Sequence, residues 1–145
     1  MQAVGIVTLL LVILGGVAVS YLVYKQLDTK IVDLPAAIEL EGTEDRGRCG
    51  DVDFVVGART VGRWPLRVEK GQTISGVVAV DGAKDLDVGL RIKSPSNRLV
   101  FREVKRQHRQ EFELTGTIRG EYLFEFDNTH SALTQKHIVV SVCIT

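Results

Sequence analysis

The sequence lacks several features that would point to a function directly. Its 145 residues carry 18 basic and 18 acidic side chains, so no net field attracts nucleic acid. It has only two cysteines, Cys49 and Cys143, and a zinc site would need further ligands. It shows no internal repeat, no low-complexity tract and no convincing amphipathic helix. These absences argue against nucleic-acid binding and against a zinc module.

The longest apolar run lies near the N-terminus, where residues 3–24 contain no charged side chain. About 20 apolar residues in a helix span roughly 30 Å, the thickness of the hydrocarbon core of a bilayer. Two tyrosines near the end of the run suit the membrane interface, and Lys25 marks the exit. The sequence therefore predicts a transmembrane helix over residues 1–25. A signal peptide cleaved after Ser20 is the alternative, although no Lys or Arg precedes the run.

Two signals disagree about the side of the membrane on which the rest of the chain lies. Lys25 and Lys30 follow the apolar run, and a basic flank favours the cytoplasm. A disulfide between Cys49 and Cys143 would instead favour an oxidising, extracytoplasmic compartment. Such a bridge would contribute about 4 kcal/mol, and two unrelated thiols are the alternative. The cysteine pair directs our expectation towards an extracytoplasmic domain.

After the apolar run, the chain divides into a linker and a strand-rich domain. Residues 26–50 contain Pro35 and a glycine-rich stretch, which argue against one continuous helix, so we interpret them as a juxtamembrane linker. Residues 51–145 contain about eight short segments of strand pattern separated by polar turns. They are residues 52–56, 64–68, 72–80, 86–94, 99–101, 111–114, 121–126 and 137–144. We therefore predict an all-β domain, an eight-stranded antiparallel, jelly-roll-like β-sandwich, preceded by one N-terminal transmembrane helix.

Residues 120–131 are the most informative segment. Three aromatic side chains alternate with polar ones along a predicted strand, and Asp127 and Asn128 end it in a turn. With earlier segments, it resembles the GOLD (Golgi dynamics) domain over residues 68–142. The matching positions are the two glycines of residues 71–76, the strand and proline turn of residues 87–95, Phe112, and a C-terminal group of Gly120, Glu121, Tyr122, Phe126, Asp127, Asn128, Thr129, Ser131 and Lys136.

The resemblance implies an eight-stranded sandwich that binds a protein or a lipid without catalysis. It also implies a family-signature turn formed by Asp127, Asn128, Ser131 and Lys136. The cargo receptors that resemble this domain carry their anchor on the C-terminal side, whereas the anchor predicted here is N-terminal. We therefore do not carry cargo-receptor function over to this chain.

Basic residues cluster most sharply at Arg102, Lys105, Arg106 and Arg109, around a predicted hairpin loop. Such a patch would attract anionic lipid headgroups by roughly 1 kcal/mol per basic residue, or bind a protein partner. The alternative is an edge strand that its charges keep soluble. Because no aromatic residues interleave with these cations, nucleic-acid binding is poorly supported.

Asp81, Asp85 and Asp87 offer a group of carboxylates such as calcium accepts, but their spacing fits a solvated sheet edge as well. We therefore predict no metal site and no cofactor. A nucleophilic triad of Ser131, a histidine (130 or 137) and Asp127 is conceivable, but no strained turn frames the serine. Hydrogen bonding within the turn explains the same residues, so we predict no enzyme activity.

Three functions follow from these predictions. The first is a membrane-tethered, non-catalytic module that binds a protein or lipid partner in trafficking or envelope assembly. The second is an accessory domain of a membrane assembly held by helix packing, for which Gly16 and Ser20 have a weak small-residue spacing. The third is a secreted accessory β-sandwich with a cleaved signal peptide that binds calcium or a substrate surface.

Overall fold

The structure is a computed structural model that describes residues 29–35, 38–43, 47–81, 88–103, 108–131 and 133–145. The transmembrane helix predicted over residues 1–25 lies outside these residues. Within them, no helix is long and apolar enough to cross a membrane.

The regular structure of the described residues is all β. The strands are β1 (Lys30–Asp33), β2 (Glu41–Thr43), β3 (Gly47–Val56), β4 (Thr60–Val68), β5 (Thr73–Asp81), β6 (Gly89–Lys93), β7 (Leu99–Arg102), β8 (Arg109–Thr115), β9 (Gly120–Asp127) and β10 (Lys136–Ile144). They form two five-stranded sheets: sheet A has the order β1-β4-β9-β6-β7, and sheet B has the order β2-β3-β10-β5-β8. The predicted all-β, sandwich-like architecture is confirmed.

The predicted number of strands was wrong, because the described residues form ten strands rather than eight. The eight predicted segments are β3 to β10, and β1 and β2 come from the segment that we interpreted as a linker. Both extra strands are short and exposed along their whole length, so they lack the alternation that marks a half-buried strand. The pairing is also not purely antiparallel, since β1 runs parallel to β4.

The core lies between the two sheets and is centred on β9. The side chains of Tyr122, Phe124 and Phe126 are fully buried. The ring centroid of Phe124 lies 5.1 Å from that of Trp64 and 5.3 Å from that of Phe112, which belongs to sheet B. Aromatic pairs at this separation contribute about 0.5–1.5 kcal/mol beyond the area that they bury. The aromatic residues of β9 therefore join the two sheets. Because their side chains point into the core, the odd-numbered residues of that strand point outward.

Cys49 on β3 and Cys143 on β10 form a disulfide. The two residues are direct partners in the antiparallel register, with their Cα atoms 4.1 Å apart. Their side chains point away from the core, so the disulfide lies on the outer face of sheet B, where Cys49 is exposed and Cys143 half-buried.

Candidate functional site

The outer face of sheet A carries a line of charged side chains that crosses four strands. Arg63 on β4 and Arg91 on β6 flank Glu125 on β9, because both are direct register partners of that residue. Arg102 on β7 extends the line, since it is in register with Arg91. Lys93 lies one outward position further along β6. We call Arg63, Arg91, Lys93 and Arg102 the cationic face.

Glu125 lies at the centre of this group and is buried, although it belongs to the outer side of the sheet. Lys93 Nζ donates a hydrogen bond to Glu125 Oε1 at 2.9 Å. The Nε atoms of Arg63 and Arg91 lie 3.5 Å and 3.4 Å from the carboxylate oxygens. A buried carboxylate costs several kcal/mol unless cations and hydrogen bonds compensate. Three cations surround it here. Lys93 hydrogen-bonds the carboxylate, whereas Arg63 and Arg91 compensate by charge, since their buried Nε atoms have no hydrogen-bond partner among the described residues.

The cations are therefore exposed to solvent, whereas the carboxylate of Glu125, which balances part of their charge, is not. The side chains of Arg63, Arg91 and Lys93 are 34%, 36% and 26% exposed, whereas that of Glu125 is 4% exposed. Asp127 also contacts the face, since its Oδ2 lies 3.5 Å from Arg91 Nη2. Further acids stand at the margins of the sheet, where Asp33 borders Arg63 and Glu121 pairs with Arg67.

An apolar strip runs beside the charged line. Pro65 on β4, Leu123 on β9 and Leu99 on β7 lie in one line across the sheet, with Lys93 between the two leucines. Leu99 and the adjacent Val100 are 47% and 40% exposed. Arginine beside exposed apolar side chains is the composition that protein interfaces favour. The face can bind an acidic surface by ion pairing and apolar contact.

The predicted basic patch is divided between the two sheets. Arg102 belongs to the cationic face, whereas Arg109 lies on β8 of sheet B, in register with Ala79. Lys105 and Arg106 lie outside the described residues. The structure therefore groups Arg102 with Arg91 rather than with Arg109.

Sequence reasoning missed the other members of the cationic face. Arg91 and Lys93 lie on the polar side of the predicted strand of residues 86–94, and neither they nor Arg63 were predicted to form a site. Glu125 lies 32 residues from Lys93 along the chain, and only the order of the strands in the sheet reveals that they meet. The alternation of basic residues along β6 was the one visible signal.

In the predicted signature turn, Asn128 holds backbone groups together. Its Nδ2 lies within 3.3 Å, 2.9 Å and 2.9 Å of the carbonyl oxygens of Val56, Gly57 and Thr134. Its backbone N–H donates to the carbonyl of Thr60 at 3.0 Å. Asn128 therefore ties the turn after β9 to the connection between β3 and β4.

Ser131, Asp127 and His137, three residues of the conceivable triad, have partners outside it. Ser131 Oγ donates to the Thr134 carbonyl at 3.0 Å and accepts from the Thr134 N–H at 3.1 Å. Asp127 Oδ1 accepts from the backbone N–H and the hydroxyl of residue 129. His137 Nε2 lies 3.1 Å from Asp53 Oδ2 on the outer face of sheet B. These contacts order a turn and a sheet surface, and they do not join Ser131 to His137.

Lys136, the last residue of the predicted signature, is fully buried. It is the register partner of Val56, and its Nζ has no hydrogen-bond partner in the part of the chain that the structure describes. Asn128 Oδ1 is buried without a partner in the same way. An unsatisfied buried polar group costs about 1–3 kcal/mol, and more when it is charged. Lys136 is therefore a destabilising element within the fold.

Of the three aspartates considered for calcium, only Asp81 is among the described residues. Those residues contain no group of three or more His, Cys, Asp or Glu side chains placed to hold a metal ion. Asp81 lies at the exposed end of β5, opposite His137.

Several solved structures are similar to this chain. PliG of Aeromonas hydrophila, a periplasmic inhibitor of g-type lysozyme, is similar with a TM-score of 0.56 and 15% identity over 80% of this chain and 98% of that chain. The pre-peptidase C-terminal domain of Bacillus anthracis collagenase has a TM-score of 0.49 at 11% identity, covering 78% and 92% of the two chains. Salmonella Typhimurium PliG has a TM-score of 0.48 at 11% identity, covering 80% and 99%. At 15% identity, the likeness to the Aeromonas hydrophila protein concerns the fold alone. No curated protein matches the chain.

The sequence itself matches a family model. The model of the emp24/gp25L/p24 family/GOLD matches residues 66–145, which is more than half of the chain. The matched region begins within β4 and includes every later strand, the buried aromatic residues of β9 and the turn organised by Asn128. The resemblance predicted from residues 68–142 is thereby confirmed, and the chain belongs to the emp24/gp25L/p24 (GOLD) family.

Proposed function

We propose that this protein is a membrane-tethered, extracytoplasmic binding module without catalytic activity, and that it docks an acidic protein surface on its cationic face. The observation that carries the proposal is Glu125, a carboxylate buried beneath three cations on the outer side of a sheet. Glu125 contributes nothing to the apolar core, since its side chain lies on the other side of the sheet. Its effect is to hold Arg63, Arg91 and Lys93 in fixed positions.

Fixed cations favour binding because their side chains have already lost conformational freedom when the protein folds. A mobile Lys or Arg side chain loses about 0.5–1.5 kcal/mol of rotamer freedom when a partner immobilises it. The contacts with Glu125 already restrict these side chains, so less of that loss remains at the moment of binding. The apolar strip of Pro65, Leu123 and Leu99 adds area that a partner can remove from water. A protein surface with carboxylates beside apolar side chains fits both features.

The disulfide and the family support an extracytoplasmic position. The bridge between Cys49 and Cys143 is partly exposed on the outer face of sheet B, where a cytosolic reductant would reach it. Disulfides persist in oxidising compartments, and the GOLD family includes lumenal domains. Labelling of intact cells with an impermeant thiol reagent after reduction tests this position: protected cysteines would contradict it.

For the tether we retain the transmembrane helix predicted over residues 1–25. A cleaved signal peptide remains the alternative, and the two differ at the N-terminus of the mature chain. Terminal sequencing that finds Met1 intact supports the tether. A new terminus at residue 21 contradicts it.

A pull-down tests the docking surface. The full chain, kept in detergent, is used to capture proteins from solubilised membranes. The variant Lys93→Glu reverses one cation of the face, and Lys70→Glu makes the same change at an exposed turn outside it. We expect protein partners to be retained by the wild type and by Lys70→Glu, and to be lost with Lys93→Glu. If no captured protein depends on Lys93 but binding to anionic liposomes does, the partner is a lipid instead. Capture that is equal for both variants contradicts the proposed face.

A further inference from the structure

The outer face of sheet B carries an excess of carboxylates, whereas cations prevail among the exposed charges at the centre of sheet A. We call its six exposed carboxylates the acidic face: Glu41, Asp51, Asp53, Asp81, Glu111 and Glu113. Arg109 and His137 are the basic residues among the described side chains of this face, and His137 contacts Asp53. The balanced charges of the chain are therefore unevenly distributed between the two outer faces.

The spacing of the charges matches between the faces. Asp51 on β3 and Glu111 on β8 lie in one line across sheet B, with the register partners Ser141 and Val77 between them. They are three strand spacings apart, which is about 14 Å. Arg63 and Arg102 are likewise three strand spacings apart across sheet A. The outermost cations of one face can thus meet the outermost carboxylates of the other.

The apolar positions match as well. Val139 and Ala79 lie side by side in the line next to that of Asp51 and Glu111. On sheet A, the strip that contains Leu123 lies in the line next to that of Arg63 and Arg102. Each face therefore presents a charged line and a neighbouring line with apolar side chains, although Lys93 lies beside Leu123 in the line on sheet A, and Asp53 and Arg109 end the line on sheet B.

We propose that the partner of the cationic face is a second copy of this chain, which docks through its acidic face. The inference rests on the proposed function and names its partner. Such a contact is head-to-tail, so each added copy leaves one cationic and one acidic face for the next, and the assembly grows or closes into a ring. Copies related by rotation about the membrane normal keep all their tethers on the same side.

The contact between two copies is a weak protein–protein interface. Only about four strands of each sheet meet, which is less than the roughly 800 Å² per partner of a standard interface. Ion pairs at its rim are screened by salt, since the Debye length is about 8 Å at physiological ionic strength. Confinement of tethered copies to one membrane raises their local concentration and compensates for the small area.

A charge-reversal experiment tests the inference on the full chain reconstituted into vesicles of neutral lipid, where the copies stay confined to one membrane, with self-association measured by energy transfer between fluorescently labelled copies. One variant reverses the cationic face (Lys93→Glu with Arg102→Glu), and the other reverses the acidic face (Glu111→Lys with Glu113→Lys). We expect each variant alone to associate at least about tenfold more weakly than the wild type. An equimolar mixture restores association, because the reversed faces complement each other and so do the two native faces.

Each result decides the question. Restoration in the mixture, with Lys70→Glu behaving as the wild type and association falling as salt rises, supports the inference. A wild type that stays monomeric, variants that associate like it, or a mixture that does not recover overturns the inference. If the wild type is monomeric while capture of another protein still depends on Lys93, the proposed function stands and only its assignment to a second copy fails.

Discussion

Replacement of Glu125 by glutamine tests whether the buried carboxylate organises the cationic face. The substitution keeps the shape and removes the negative charge, so Arg63, Arg91 and Lys93 are left facing one another. Removal of one partner from a buried ion pair costs about 3–5 kcal/mol, because the remaining charge loses its compensation. Here the three cations are 26–36% exposed and can turn towards water. We therefore expect a loss of about 2–3 kcal/mol in the free energy of unfolding.

Trp64 provides a fluorescent probe of unfolding for this variant, and Glu121 provides a matched control position. Trp64 is the only tryptophan of the chain, is fully buried and contacts Phe124, so its fluorescence reports unfolding in urea. Glu121 lies on the same strand and the same face as Glu125 but is exposed. Glu121→Gln should change the free energy by less than about 0.5 kcal/mol. If Glu125→Gln were equally mild, the carboxylate would not hold the cations in place, and the physical basis of the proposed face would be lost.

Three other predictions concern residues away from the cationic face. Lys136→Met should raise the free energy of unfolding by about 1–3 kcal/mol, since it removes a buried ammonium that has no partner among the described residues; a loss of stability would show that a partner exists. Cys49→Ser with Cys143→Ser should lower it by about 4–5 kcal/mol, because the bridge closes a loop with a sequence separation of 94; an unchanged urea midpoint would refute this. Asn128→Ala should cost about 2–3 kcal/mol and Ser131→Ala less than about 1 kcal/mol, so equal losses would contradict the central role of Asn128 in the turn.

Most of the strands that the sequence predicted bury one face, and β7, which is exposed at three of its four residues, is the exception. In β9 the aromatic residues 122, 124 and 126 alternate with outward-facing positions, and this pattern is local, so a single segment is enough to recognise it. β1 is different, because Ile31 and Val32 are both exposed and the strand is defined by its pairing with β4 rather than by burial. Its direction follows from that pairing as well. No local pattern could have predicted it.

The candidate site could not be predicted from local sequence patterns, for the same reason. Glu125 was recognised in the sequence as a polar residue of a half-exposed strand. Its burial comes from the side chains of Arg63, Arg91 and Lys93, which belong to two other strands. Those strands become neighbours of β9 only through the order of sheet A. A local pattern gives the face on which a side chain lies, whereas the register determines what it contacts.

The balanced composition concealed the two charged faces, although the alternation within the strands contains them. The outward charges of sheet A are basic on β4 and β6 and acidic on β9, which lies between them. On sheet B they are acidic on β3 and, apart from Arg109, on β8. Net charge therefore excludes a field over the whole molecule but does not describe either face. An inference about partners from charge has to be made face by face once the sheets are known.

This separation predicts opposite effects of salt on folding and on assembly. Carboxylates on the acidic face repel one another in the isolated chain, and screening relieves that repulsion. Moderate sodium chloride should therefore stabilise the monomeric Glu111→Lys, Glu113→Lys variant less than the wild type, because the variant has lost part of the repulsion. The same salt should weaken the association of the wild type, since the contact joins faces of opposite charge. If salt changed stability and association in the same direction, the acidic face would neither repel itself nor attract the cationic face, and the head-to-tail contact would have no electrostatic basis.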